Sequence, residues 1–114
     1  MTREIKTKIA GVTYDDPANK GLNRQETIRR MVKAGQRLEL RREPDNPHDG
    51  NAVAVWLHRR VVLMRMSYHL GYLPGDVARD VARAMDGGAE PDVRVLQVTG
   101  GGSKSLGVNL VIRI

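Results

Sequence analysis

Apolar and polar positions follow two rhythms along the chain, and the switches between them mark its elements. Residues 5–12, IKTKIAGV, set Ile5 and Ile9 on one side and Lys6 and Lys8 on the other, the period of a half-exposed strand. Residues 14–21, YDDPANKG, are a loop punctuated by Pro17, Asn19 and Gly21. Residues 23–35, NRQETIRRMVKAG, change to helical spacing. Ile28, Met31 and Val32 make an apolar stripe, and Arg29, Arg30 and Lys33 point away from it. Asn23 predicts the N-cap, Glu26 stands at the capping-box position, and Gly35 predicts the close.

Residues 36–43, QRLELRRE, alternate again, with Leu38 and Leu40 inward and Arg37, Glu39 and Arg41 outward. In NAVAVWL, residues 51–57, Val53, Val55 and Leu57 share a face. HRRVVLMRMSYH, residues 58–69, has no Gly or Pro to mark a turn and predicts an extended hairpin. HLGYLP then forms a strand ending at Pro74. A second helix is predicted over residues 75–88: Val77, Ala78, Val81, Ala84 and Met85 face in, Asp76, Arg79, Asp80 and Arg83 face out, Asp80 pairs with Arg83, and Gly87 and Gly88 end it. PDVRVLQVT and LGVNLVIRI close the chain as two strands around the loop GGGSKS. Two amphipathic helices are too few to cover both faces of a parallel sheet. The pattern therefore predicts a mainly β fold, a small antiparallel barrel of about six strands with two helices at its ends.

A length of 114 residues predicts one domain, 1–114. With no Phe and one Trp, the core must rest on Val, Leu, Ile, Ala and Met. The absence of cysteine removes disulfides, thiolate zinc sites and cysteine nucleophiles together. The charged, alternating stretch after Met1 lacks the apolar core of a signal peptide, so a soluble, intracellular, cytoplasmic protein without membrane contact is expected. The net charge of +6 is uneven, with ten cations against five acids between positions 24 and 65, and Arg dominates that window. Planar guanidinium groups suit bidentate phosphate contacts, and such a surface points toward nucleic acid.

The stretch EPDNPHDGNAVAV, residues 43–55, concentrates the candidate chemistry. As a calcium loop it fails: Pro47 occupies the third ligand position and Trp56 stands where a bidentate Glu belongs. As a zinc or nuclease site it lacks ligands, because His58 and His69 sit at no diagnostic spacing from His48 and Asp49. GGGSKS is not a phosphate loop, since Ser103 precedes Lys104 and a strand follows. Ser67, Ser103 and Ser105 belong to no nucleophile motif, and Asp15 and Asp16 read as solvated loop acids. No catalytic residue, metal or cofactor is indicated, and an enzyme is not expected. The stretch is either a self-bonded turn or a ligand-reading loop.

EPDNPHDGNAVAV followed by HLGYLPGDVARDVARAMDGG resembles the HIRAN domain, with GVTY at residues 11–14 similar to the end of the family's first strand and GVNLVIRI to its last. The resemblance runs from about Ile5 to Ile114 and implies a stand-alone HIRAN domain with an OB-like barrel and two helices. In helicase-like, fork-remodelling members such domains bind single-stranded DNA and capture its free 3′-hydroxyl end. By that resemblance Asp49 accepts a hydrogen bond from the 3′-hydroxyl, and Asn46 supports it or touches the terminal nucleotide. His48 replaces a base-stacking tyrosine, Tyr14 contacts the DNA and Tyr72 lies beside a phosphate. Thr13 and Gly75 depart from the family, where basic contacts are expected, and Arg41, Arg42 and Lys104 are the cations that would compensate. Pro47 and Gly50 would shape the loop and Asn51 brace it.

The implied function is recognition of single-stranded DNA at its 3′ end, in DNA repair or replication-fork processing, by a monomer that works with a helicase or nuclease. The alternatives are a non-catalytic OB-like protein-interaction or specificity module and a metal-dependent nuclease accessory.

Overall fold

The computed structural model describes residues 3–114; residues 1–2, where the reading of the N-terminal leader begins, lie outside the described residues. The elements are β1 (Glu4–Lys8), α1 (Arg24–Met31), β2 (Arg37–Arg42), β3 (Val53–Val61), β4 (Met64–Tyr72), α2 (Gly75–Asp86), β5 (Asp92–Gly101) and β6 (Lys104–Arg113), in the order that periodicity predicts. The strands pair antiparallel in one sheet, β1-β6-β5-β2-β3-β4.

Two residues beyond β1, Ala10 bridges to Tyr72 at the end of β4, the one link between these outer edges among the described residues. The Ala10 N–H donates to the Tyr72 carbonyl at 2.7 Å and the Tyr72 N–H to the Ala10 carbonyl at 3.0 Å. The sheet thus curls into an OB-like form held at one seam, without a full ladder closing it. Gly71 makes that seam possible. It sits at φ +148°, and a Cβ there would lie 2.2 Å from the Ala10 carbonyl oxygen. Only a residue without a side chain admits so close a backbone approach.

The inner face carries the alternating Val, Leu and Ile positions. Val53, Val55, Leu70, Val93, Leu110 and Ile112 are fully buried. Each such side chain contributes about 1.5–3 kcal/mol relative to exposure. The helix α1 lies against β4 and β6 through Ile28, and α2 approaches β3 through Ala78, Val81 and Ala82. A β-bulge separates the Val55–Gly71 pair from the Trp56–His69 pair. The irregularity keeps Val55, Leu57 and Leu70 in the core, while Trp56 stacks on His69 with ring centroids 4.8 Å apart.

Three local expectations are corrected. The first helix ends at Met31 rather than running to Gly35, because the Gln36 side chain accepts from the Lys33 N–H and donates to the Met31 carbonyl, each at 2.8 Å. Glu26 turns outward to Arg29 (2.7 Å) and Arg30 (3.1 Å) instead of reaching back to Asn23. Asn23 still caps the helix by accepting from the Gln25 N–H at 2.8 Å. Asp80 pairs with Arg3 at 3.3 Å and not with Arg83, since the folded chain brings the N-terminal segment to the outer side of α2.

Candidate functional site

The loop between β2 and β3 is organised around one side chain, Asn46. Its Oδ1 accepts from the backbone N–H of His48 (2.9 Å) and of Asp49 (3.2 Å). Its Nδ2 donates to Glu43 Oε1 at 3.0 Å. This is the local bonding that makes Asn favourable in turns. Asp49 Oδ1 accepts from the Asn51 N–H at 2.8 Å, and its other carboxylate oxygen has no hydrogen-bond donor among the described residues. Asn51 thus reaches the loop through its backbone. Gly50 takes an ordinary φ and has room for a Cβ, so the turn owes its shape to Asn46 and Asp49 rather than to glycine. Pro47 is exposed on the loop.

A cavity of about 260 Å³ opens beside this loop, lined by Asn46, His48, Asp49, Ala52, Tyr72, Leu73 and Gly75. Four of the sequence-derived candidates, Asn46, His48, Asp49 and Tyr72, therefore come together. Gly75 joins them as the first residue of α2, whose N-terminal end carries the positive pole of the helix and no side-chain cap. Tyr72 donates from its hydroxyl to the same Glu43 Oε1 at 2.9 Å. Burial, then the Glu43 carboxylate, push the Tyr72 hydroxyl above its ordinary pKa, so it remains a neutral donor near neutral pH. Glu43 is the residue that residue-by-residue reading missed. Its only signal was its place directly before Pro44 at the head of the motif.

The other candidates lie outside the cavity lining. Tyr14 is 70% exposed and rests against Gly11, next to the Ala10–Tyr72 seam. Thr13, nearby, is exposed. Arg41 lies 4.3 Å above the Trp56 ring and bonds Glu39 at 2.8 Å. Arg42 grips Asp86 through Nε and Nη2 at 2.9 and 3.2 Å and donates to the Ala52 carbonyl at 3.0 Å. That bond to Asp86 raises the Arg42 pKa, and the guanidinium fastens the loop's end to α2. Lys104 is exposed at the start of β6.

Beneath Tyr72 lies a second polar cluster. Its ring meets the His69 imidazole edge-on, with centroids 4.9 Å apart. Arg24, buried, donates to the His69 carbonyl (2.8 Å) and the Gly11 carbonyl (3.0 Å), and its Nη2 sits 3.0 Å from His69 Nδ1. Asp16 accepts from the N–H groups of Ala18 and His69 and from the Asn19 amide. Asp16 is thus buried and fully engaged, which corrects its reading as a solvated loop acid. Burial first, and the Arg24 charge next, hold the His69 pKa below its ordinary value. His69 is neutral near pH 7, accepting from Arg24 at Nδ1.

Among the described residues no three His, Asp or Glu side chains converge closely enough to hold a metal ion, and no helix is long and apolar enough to cross a membrane. The architecture is that of an OB-like fold presenting a polar loop and a small cleft at the seam of its sheet. The family model of the HIRAN domain matches residues 3–114, and the chain belongs to the HIRAN domain family. Two solved structures share the fold. The HIRAN domain of human HLTF is 19% identical at a TM-score of 0.59, over 96% of this chain and 74% of that one. A protein from Lactobacillus plantarum is 21% identical at a TM-score of 0.60, over 99% and 98%. No curated protein matches the chain in sequence. HIRAN domains are binding modules, and membership supports a nucleic-acid-binding role.

Proposed function

We propose that the protein binds single-stranded DNA and holds its free 3′-hydroxyl end in the Asn46–Asp49 cleft, in DNA repair or replication-fork processing. The observation that carries this reading is the Asp49 carboxylate: one oxygen is fixed by Asn51, the other is unoccupied beside Tyr72 and His48, and the protein around it carries a net charge of +6. A carboxylate repels a continuing phosphodiester, whereas it accepts a hydrogen bond from a terminal hydroxyl. His48 and the exposed Tyr14 offer planar surfaces for bases, and the free N-terminal end of α2 offers backbone N–H groups to a phosphate.

Fluorescently labelled oligonucleotides ending in 3′-hydroxyl or 3′-phosphate test the reading. The hydroxyl end should bind about tenfold more tightly, and Asp49→Ala should remove that preference by weakening the 3′-hydroxyl strand and easing the repulsion of the 3′-phosphate one. Equal affinity of the unaltered protein for both ends would exclude end recognition, and no binding at low salt would exclude DNA.

A further inference from the structure

We propose that the tip of the β3–β4 hairpin is a second DNA contact, in which Val62 and Leu63 wedge into a base step of duplex DNA while Arg59, Arg60 and Arg65 hold the flanking phosphates. The inference rests on the nucleic-acid-binding reading of the protein but not on recognition of a 3′ end.

Three features that each disfavour an isolated hairpin converge on this tip. Val62 has φ +56°, the one non-glycine residue at positive φ among the described residues, although a β-branched side chain is the least suited to it. Leu63 and Val62 are 96% and 85% exposed, and the flanking Val61 and Met64 are exposed as well. Arg60 stands directly across the ladder from Arg65, an unfavourable like-charge pair, and among the described residues none of Arg59, Arg60 and Arg65 has an ion-pair partner. An anionic, partly apolar partner relieves the last two at once, and the strained turn at Val62 sets both side chains of the tip out toward it.

The geometry favours duplex DNA as that partner. The tip projects on a two-stranded ribbon narrow enough to enter a groove. Alternation along the strands sets Arg60 and Arg65 on one face of the ribbon and Arg59 on the other, so cations flank the apolar point on both sides, where a groove has its phosphate walls. An aliphatic wedge carried between cations is a recurring way to part a base step. Val62 stands eight residues beyond Ala54, the partner of Tyr72, so the tip lies about 26 Å along the strand from the cleft and contacts DNA independently of it.

The test uses a blunt duplex whose 3′ ends carry phosphate, with 2-aminopurine at an internal step, beside a single strand ending in 3′-hydroxyl. Binding of the unaltered protein to the duplex should raise the 2-aminopurine fluorescence as the step unstacks. Leu63→Ser should abolish that rise and weaken duplex binding about tenfold, and Arg60→Gln with Arg65→Gln should lower the salt slope by about two, while single-strand affinity holds. Val62→Gly, which relieves the strained φ, should raise Tm and still weaken duplex binding, so a folding defect cannot imitate the result. Asp49→Ala should leave the duplex unaffected. Duplex affinity unchanged by the tip variants overturns the proposal. So does loss, in Leu63→Ser, of binding to vesicles of anionic phospholipid or of self-association with duplex binding intact. If the unaltered protein shows no 3′-hydroxyl preference but the tip effects hold, end recognition fails and the hairpin contact stands.

Discussion

Tyr72 joins two polar clusters that are built in opposite ways. Its hydroxyl reaches Glu43 in the exposed β2–β3 loop, and its ring leans on His69 above the buried Arg24 and Asp16. In the loop nearly every bond spans two or three residues, from Asn46 to Glu43, His48 and Asp49 and from Asp49 to Asn51. In the buried cluster Arg24 and Asp16 reach His69 across 45 and 53 residues. The loop leaves one carboxylate oxygen and an imidazole facing solvent, whereas the buried side chains put most of their donors and acceptors into protein contacts. One arrangement presents chemistry to a ligand; the other holds the sheet's seam and the floor under the cleft.

The comparison breaks most sharply at Arg24. Arg24→Met removes the donors to the buried His69 carbonyl and the half-buried Gly11 carbonyl and takes away the buried cation whose field Asp16 shares, so urea unfolding should show a loss of about 3–5 kcal/mol. The same substitution at the exposed Arg41 should cost less than about 1 kcal/mol. A loss at Arg24 no larger than at Arg41 would mean the buried cluster contributes nothing to stability.

Asn46→Ala sharpens the other side. It removes the acceptor for two loop N–H groups, and a cost of about 1–2 kcal/mol in Tm-derived stability is expected. It should also loosen Asp49 and erase any 3′-hydroxyl preference together with Asp49→Ala, without additivity. Additive losses would mean that Asn46 contacts the ligand by itself.

The smallest effect is a pH dependence carried by His69. Its pKa is held below the ordinary value of about 6.5, so below that pH the unfolded chain binds a proton that the folded chain resists. Stability should be level above about pH 6.5 and fall as pH drops through the window beneath it, by at most about 1.4 kcal/mol per pH unit, the limit for one proton. His69→Gln should flatten that slope. The carboxyl pKa values of Glu26, Glu39 and Asp86, lowered from ordinary values of 4.5 for the glutamates and 3.8 for the aspartate, act at lower pH. An unchanged slope in His69→Gln would assign the dependence to other groups.

Much of the fold was legible because it is periodic. Leu38 and Leu40, Val53 and Val55, and Ala78 and Val81 all lie on the faces that their spacing predicts. The place of the loop was legible from its crowded motif, but its bonding was not: Asn46 and Asp49, rather than Gly50, shape the turn. The hairpin tip was not, because its turn uses Val62 at positive φ where Gly, Asn or Asp would have signalled it. The free cations were not legible either. Arg42 and Arg59 look alike in the sequence, yet Arg42 is fastened to Asp86 and Arg59 has no partner among the described residues.

By itself the sequence determined the order and faces of the elements and the place of the β2–β3 loop, because backbone sterics and periods of two and 3.6 act between near neighbours. Tertiary structure alone decided that Glu43 would hold Tyr72, that Arg24 and Asp16 would meet at His69, and that Gly71 would let the Ala10 backbone close the seam. Those contacts depend on register and on loops closing over dozens of residues, which no local pattern encodes.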